Sequence, residues 1–109
     1  MNLDEQSLEI GKVYFSLLYL DENLTVPEIK TLVYLGLVQT DSIDTPKTIH
    51  LFQFADSYFS DGNWKELSDE TKKEYEDAPL MFFNLGDIGP LCDRDSLLQE
   101  LQNWHANAI

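Results

Sequence analysis

Short apolar runs, separated by polar turn residues, dominate the hydrophobic pattern of this chain. The clearest run occupies residues 48–55, Thr-Ile-His-Leu-Phe-Gln-Phe-Ala, and lies between Asp-Thr-Pro and Asp-Ser-Tyr. β-branched and aromatic residues between such breakers are typical of a strand. The pattern allows this strand to continue as far as Tyr58. Runs of similar character at 13–20, 25–38 and 80–85 predict three partner strands.

The run at 25–38 has two interpretations. Thr25 and Glu28 occupy the positions of a capping box, and Pro27 suits the first turn of a helix. The β-branched residues that follow, and the internal Gly36, lower helix propensity and favour a strand with a bulge at the glycine. We predict a strand, joined to the 48–55 strand by the polar loop 40–47. A helical interpretation of residues 3–38 is the alternative.

Two helices follow the 48–55 strand in the predicted order. Ser68 can cap a helix over 68–77 that ends before Pro79. Asp93 can cap a C-terminal helix with one apolar face, formed by Leu97, Leu98, Leu101 and Trp104. The pattern therefore predicts an α+β fold over residues 1–109 as one domain. It has about four antiparallel strands in one curved sheet, with the C-terminal amphipathic helix packed on it.

Both faces of the predicted sheet are apolar, whereas a sheet covered on one face alternates apolar and polar residues. The helices are too few to cover both faces. The second face therefore needs a curled sheet, the N-terminal segment, a ligand or a second copy of the chain. We favour a homodimer, because C2 dimers are the commonest soluble oligomers. A ligand pocket on this face is the alternative, lined by Tyr14, Tyr34, His50, Phe52 and Phe54.

The charge balance narrows the possible partners. Twenty acidic residues against seven basic ones give a net charge of −13. That charge disfavours binding to nucleic acid or to an anionic membrane, and it favours a basic protein partner. The acidic start of the chain does not resemble a signal peptide, and no apolar run reaches the roughly 20 residues of a membrane span. We therefore expect a cytoplasmic protein.

Acidic and aromatic residues are concentrated between residues 56 and 77, where eight carboxylates accompany three lysines. Carboxylates steer a basic partner, and Trp and Tyr are enriched at binding hot spots. This pattern predicts a small interaction protein that binds or inhibits a basic protein. The predicted partner-binding residues are Tyr58, Asp61, Trp64, Glu66, Glu70 and Glu74.

Candidate catalytic residues are few. The single cysteine, Cys92, has acidic neighbours in sequence, which raise rather than lower a thiol pKa. His50 has no partner that spacing supplies, and Asp87, Asp93 and Asp95 match no calcium loop. We predict no catalytic residue, metal or cofactor, and favour a non-enzymatic protein. The alternatives are a small-molecule-binding domain or minor enzyme using the aromatic pocket, and a homo-oligomer with no site beyond its interface.

Overall fold

The computed structural model describes residues 3–23, 26–40 and 45–108, with side chains as far as Trp104. The strands are β1 (Val13–Tyr19), β2 (Pro27–Gln39), β3 (Thr48–Phe54), β4 (Leu80–Asn84) and β5 (Leu91–Cys92). The α-helices are α1 (Ala55–Asp61), α2 (Asp69–Lys73) and α3 (Arg94–Ala108). Two 3₁₀ turns span Glu5–Ser7 and Trp64–Glu66.

The strands form one antiparallel sheet in the order β4-β3-β2-β1-β5. With α3 packed on this sheet, the predicted α+β class is confirmed, but the sheet has five strands. The additional strand is β5, in which Cys92 pairs with Phe15 and Leu91 pairs with Ser16. Two residues are too few to produce a periodic pattern, so only the pairing with β1 defines this strand.

Residues 27–39 form a strand, as predicted, and the helical alternative is wrong for this stretch. The capping residue proposed for a helix there, Thr25, lies outside the described residues. The pairing of β2 with β3 shifts between Tyr34 and Gly36, and Gly36 has a φ of 110°. A bulge at that position was predicted, because glycine adopts positive φ without steric cost.

The chain leaves β3 earlier than predicted. Continuation of this strand to Tyr58 is wrong, because α1 begins at Ala55. The Ser57 hydroxyl donates to the Phe54 carbonyl at 2.9 Å, and Asp56 suits the positive end of the helix. The predicted helix at 68–77 is also shorter, ending at Lys73, although Ser68 caps it as expected.

Helices α1 and α3 share one face of the sheet. On the β1–β5 side, Leu17 and Cys92 pack against Leu97 of α3. The strand register places these side chains on the same face as Gln53, which contacts the segment around α1. The Asp93 carboxylate accepts the Ser96 backbone N–H at 2.8 Å at the start of α3, as the sequence predicts.

The second face is covered by the chain itself. Leu3 and Leu8 from the N-terminal segment, and Ile88 from the turn before β5, pack on a buried cluster. The other buried members of that cluster are Tyr14, Leu32, Tyr34, Phe52 and Leu91. Four coverings were considered for this face: a curled sheet, the N-terminal segment, a ligand and a second copy of the chain. In the described residues, the N-terminal segment lies on it.

Glu5 holds the N-terminal segment in place. Its Oε1 lies 2.5 Å from Nε2 of the buried His50, and Nδ1 of that ring lies 2.8 Å from the Tyr34 hydroxyl. Both Glu5 oxygens also accept the Gly86 backbone N–H, at 3.0 and 3.1 Å. The hydrogen bond to His50, followed by that from Gly86, lowers the pKa of Glu5 below its ordinary value of 4.5.

Replacing Glu5 with Gln should lower the thermal unfolding midpoint at neutral pH. A carboxyl whose pKa is lowered on folding stabilises the folded state above its unfolded pKa, and that contribution is lost as the pH falls through the folded pKa. The difference between wild type and Glu5→Gln should therefore be largest above pH 4.5 and should close in more acidic solution. Thermal unfolding across this range measures it.

Glu9→Gln is the matched control, since Glu9 is an exposed residue of the same segment. A difference between wild type and Glu5→Gln that stayed constant down to the most acidic pH would contradict the role given to this carboxylate.

Candidate functional site

A buried glutamine organises the acidic segment. Gln53 of β3 has no exposed surface. Its Nε2 donates to the Ser57 hydroxyl at 3.1 Å and to the Gly62 carbonyl at 3.0 Å, while its Oε1 accepts the Trp64 N–H at 2.8 Å. These bonds satisfy a polar side chain in the core. They also fix the path of residues 57–64 over the sheet.

The turn after α1 follows from its sequence, Ser60-Asp-Gly-Asn63. Gly62 has a φ of 97°, a conformation that favours glycine, and its N–H donates to the Tyr58 carbonyl. The Asn63 side chain then accepts the Lys65 N–H at 3.0 Å, which starts the 3₁₀ turn. Lys65 extends back to the sheet, where its ammonium donates to the Leu35 carbonyl at 2.9 Å beside the bulge.

A compact set of contacts, here called the Trp64 cluster, connects α1, the 3₁₀ turn and α2. It consists of Asp61, Trp64, Lys72 and Tyr75. The rings of Trp64 and Tyr75 are edge to face with centroids 5.5 Å apart, and the Lys72 ammonium lies 5.5 Å from the Trp64 centroid. The Tyr75 hydroxyl donates to the Asp61 carboxylate. This bond, with burial and nearby carboxylates adding to it, raises the pKa of Tyr75 above 10.0.

The carboxylates of this segment are exposed and lack cationic partners. None forms an ion pair within 4.0 Å in the described part of the chain. Lys65 and Lys72 are directed to the Leu35 carbonyl and the Trp64 ring instead. The negative charge therefore faces solvent at Asp56, Asp61, Glu66, Asp69, Glu70, Glu74, Glu76 and Asp77.

The predicted partner-binding residues differ in how exposed their side chains are to solvent. Glu66, Glu70 and Glu74 are exposed, and Asp61 is exposed but bonded to Tyr75. Tyr58 and Trp64 are half-buried.

The most accessible aromatic side chain of the segment is Phe59, which is 69% exposed and was not predicted as a binding residue. Its ring lies edge to face with Tyr58 at 5.5 Å. Both residues lie in α1, where helical geometry turns Phe59 outward. We name the exposed carboxylates of 56–77, together with Phe59 and Trp64, the acidic-aromatic surface.

The five residues predicted for the alternative pocket do lie together. Tyr14, Tyr34, His50 and Phe52 are buried and Phe54 is half-buried. Phe52 is in ring contact with Tyr34 at 5.0 Å and with Tyr14 at 6.2 Å. Because these side chains pack on one another and on the N-terminal segment, a ligand would have to displace that segment to reach them.

Cys92 is buried in β5, 8% exposed. Burial, followed by the charges of Glu100 and Asp93, raises the pKa of its thiol. It therefore packs as a small apolar side chain rather than as a thiolate nucleophile. Within the described ranges, no three or more His, Cys, Asp or Glu side chains are grouped to hold a metal ion.

No family model matches the chain, no curated protein matches it, and no solved structure matches it. Among the described helices, none has the length and apolar character needed to cross a membrane.

Replacing Asp61 with Asn should lower the pKa of Tyr75 toward its ordinary value. The Asp61 carboxylate stabilises the neutral phenol and repels the phenolate, and the amide retains an acceptor without the charge. Titration of the Tyr75 ring followed by NMR measures this change. Asp69→Asn removes an exposed charge outside the cluster and serves as control. An unchanged Tyr75 pKa in Asp61→Asn would contradict the described geometry.

Proposed function

We propose that this protein binds, and thereby inhibits, a basic protein partner through the acidic-aromatic surface. The observation that carries the proposal is a run of exposed carboxylates that form no ion pair among the described residues, in the same segment as the exposed ring of Phe59. The carboxylates attract a surface rich in Lys and Arg, and the aromatic ring supplies apolar contact.

The scaffold beneath this surface favours recognition without large rearrangement. Gln53 and Gly62 fix the turn after α1, and the Trp64 cluster joins that turn to α2. A rigid surface loses less conformational entropy on binding. A partner held here would have its cationic residues covered, which blocks any anionic substrate that those residues bind.

We also propose a homodimer and a cytoplasmic location. A single cysteine that is buried and free suits a reducing compartment. The sheet face first considered for dimerisation carries the N-terminal segment, so the proposed dimer needs another surface.

Charge reversal at Glu70 of α2 and at Glu74, the residue that follows this helix, tests the binding proposal; the double substitution is called the α2 variant. Glu70→Lys combined with Glu74→Lys should weaken the complex by about tenfold or more, because both changes place positive charge against a cationic partner. The measurement is native mass spectrometry of the protein purified from its own cells at low ionic strength. The bound protein mass should be present with wild type, decrease as salt is added, and be lost in the double variant.

The matched control is Glu22→Lys combined with Asp95→Lys, which changes net charge equally at exposed positions outside 56–77. Circular dichroism establishes that both double variants are folded. If the complex survived in the α2 variant as well as in the control, the acidic-aromatic surface would not be the binding site. Phe59→Ala separates the apolar contribution from that of the charges.

A further inference from the structure

The outer edge of β4 is open and unprotected. This strand is the last of the sheet, and no described strand pairs with its outer side. Residues 78–86, Ala-Pro-Leu-Met-Phe-Phe-Asn-Leu-Gly, contain no charged side chain. Exposed edges are usually blocked by a charged residue, a bulge or a covering loop, since their free backbone groups can pair with another strand. Nothing of that kind interrupts Leu80–Asn84.

The free backbone groups of this edge can be identified. The Phe54 N–H donates to the Pro79 carbonyl at 2.9 Å, so residues 79, 81 and 83 direct their backbone groups toward β3. The backbone groups of Leu80, Phe82 and Asn84 consequently point outward.

Part of this outward set is already bonded within the chain. The Leu80 N–H donates to Ala78 at 2.8 Å, and the Asn84 carbonyl accepts from Asp87 at 3.0 Å. The groups that remain are the Leu80 carbonyl, the Asn84 N–H, and both backbone groups of Phe82.

We infer that a second copy of this chain pairs antiparallel with β4 about a two-fold axis at Phe82. In that register the two Phe82 residues exchange N–H and carbonyl bonds, and each Asn84 N–H donates to Leu80 of the other copy. The Leu80 N–H of one copy then faces the Asn84 carbonyl of the other. These two groups need no bond between the copies, because each is already bonded within its own chain. The remaining set is thus complementary to itself, as an isologous interface requires.

Side chains favour the same register. Phe82 is 60% exposed on the helix-bearing side of the sheet, and Leu85 just beyond the strand is 53% exposed. The two-fold axis brings the Phe82 rings into a cross-strand pair, an arrangement that stabilises antiparallel sheets. On the other face, half-buried Met81 lies opposite Phe83 of the second copy. Two five-stranded sheets become one continuous sheet.

A second copy fits this edge better than a strand of a basic partner. Residues 78–86 carry no carboxylate of their own, and Asp77 and Asp87 flank the run in sequence. The Glu5 carboxylate does reach the end of the run, but it is bonded there to the Gly86 N–H and to His50. In the symmetric pairing Asp77 of each copy approaches Asp87 of the other, and both copies carry a net charge of −13. Added salt should therefore strengthen the dimer, whereas it weakens a complex with a basic protein.

This inference rests on the homodimer proposed above and is independent of the basic partner. Sedimentation equilibrium of the full chain at low and high salt measures self-association. Phe82→Lys should weaken it by about tenfold or more, since two like charges replace an apolar pair. Leu98→Lys adds the same charge at an exposed apolar position of α3 and should leave the dimer intact. Phe82→Thr, a good strand former, provides a second variant if Phe82→Lys fails to fold.

A cross-link locates the axis. Directly opposed residues of an antiparallel hydrogen-bonded pair have Cα atoms about 5.5 Å apart, so thiols at position 82 of the two copies lie within reach of one short bis-maleimide reagent. With Cys92→Ser to remove the native thiol, Phe82→Cys should be cross-linked to a covalent dimer by that reagent, and Phe59→Cys should not. Amide exchange at Phe82 and Asn84 should slow as protein concentration rises.

Each contrary result has its own meaning. A monomer at every concentration and salt would overturn both the homodimer and this edge as its interface. A dimer unaffected at position 82 would overturn the edge alone. Slow exchange at Phe82 and Asn84 only when a basic protein is bound would assign the edge to that partner and overturn the inference. Loss of basic-partner binding in the α2 variant bears on the proposed function and not on the dimer, because that variant leaves β4 unchanged.

Discussion

The constraint on which this structure depends is the apolar character of both faces of its sheet. Tyr14 and Phe52 on one face, and Val33 and Leu17 on the other, are buried. Within these 109 residues, segments outside the sheet provide both coverings. Helices α1 and α3 lie on one face, and the N-terminal segment with the turn around Ile88 covers the other. Burial of apolar area is the dominant favourable term in folding, so the segments that cover the sheet contribute directly to the stability of the fold.

Polar side chains fix where each covering lies. Glu5 ties the N-terminal segment to His50 and Gly86, and Gln53 ties the α1 turn to the sheet. The Glu5 contacts join residues that lie 45 and 81 positions apart, whereas those of Gln53 are more local, and sequence pattern alone distinguishes neither residue. Lys65 also contacts the sheet, where its ammonium donates to the Leu35 carbonyl beside the bulge in β2. Because Lys65 and Lys72, two of the three lysines of the segment, are held in such contacts, most of the negative charge of the segment remains uncompensated at the surface.

The sequence predicted most of the secondary-structure types correctly, but it did not predict which aromatic side chains are exposed. Short apolar runs rich in β-branched and aromatic residues identified β1 to β4, and the i, i+3/i+4 spacing identified α3. Clustering of acidic and aromatic residues identified the candidate surface. The switch to helix at Ala55 was missed because an apolar run does not reveal where pairing ends. In that helix Phe59 is exposed, whereas Trp64 is partly enclosed by Tyr75 and Lys72.

The sequence by itself determined the strand-rich α+β class, the bulge at Gly36, the caps at Ser68 and Asp93, and the excess of negative charge. These properties are local, since each depends on neighbouring residues or on composition. Only the tertiary structure decided that β5 exists, that the N-terminal segment covers the second face, and that β4 lies at an open edge. Those features depend on contacts between residues far apart in the chain, which periodicity and spacing do not encode.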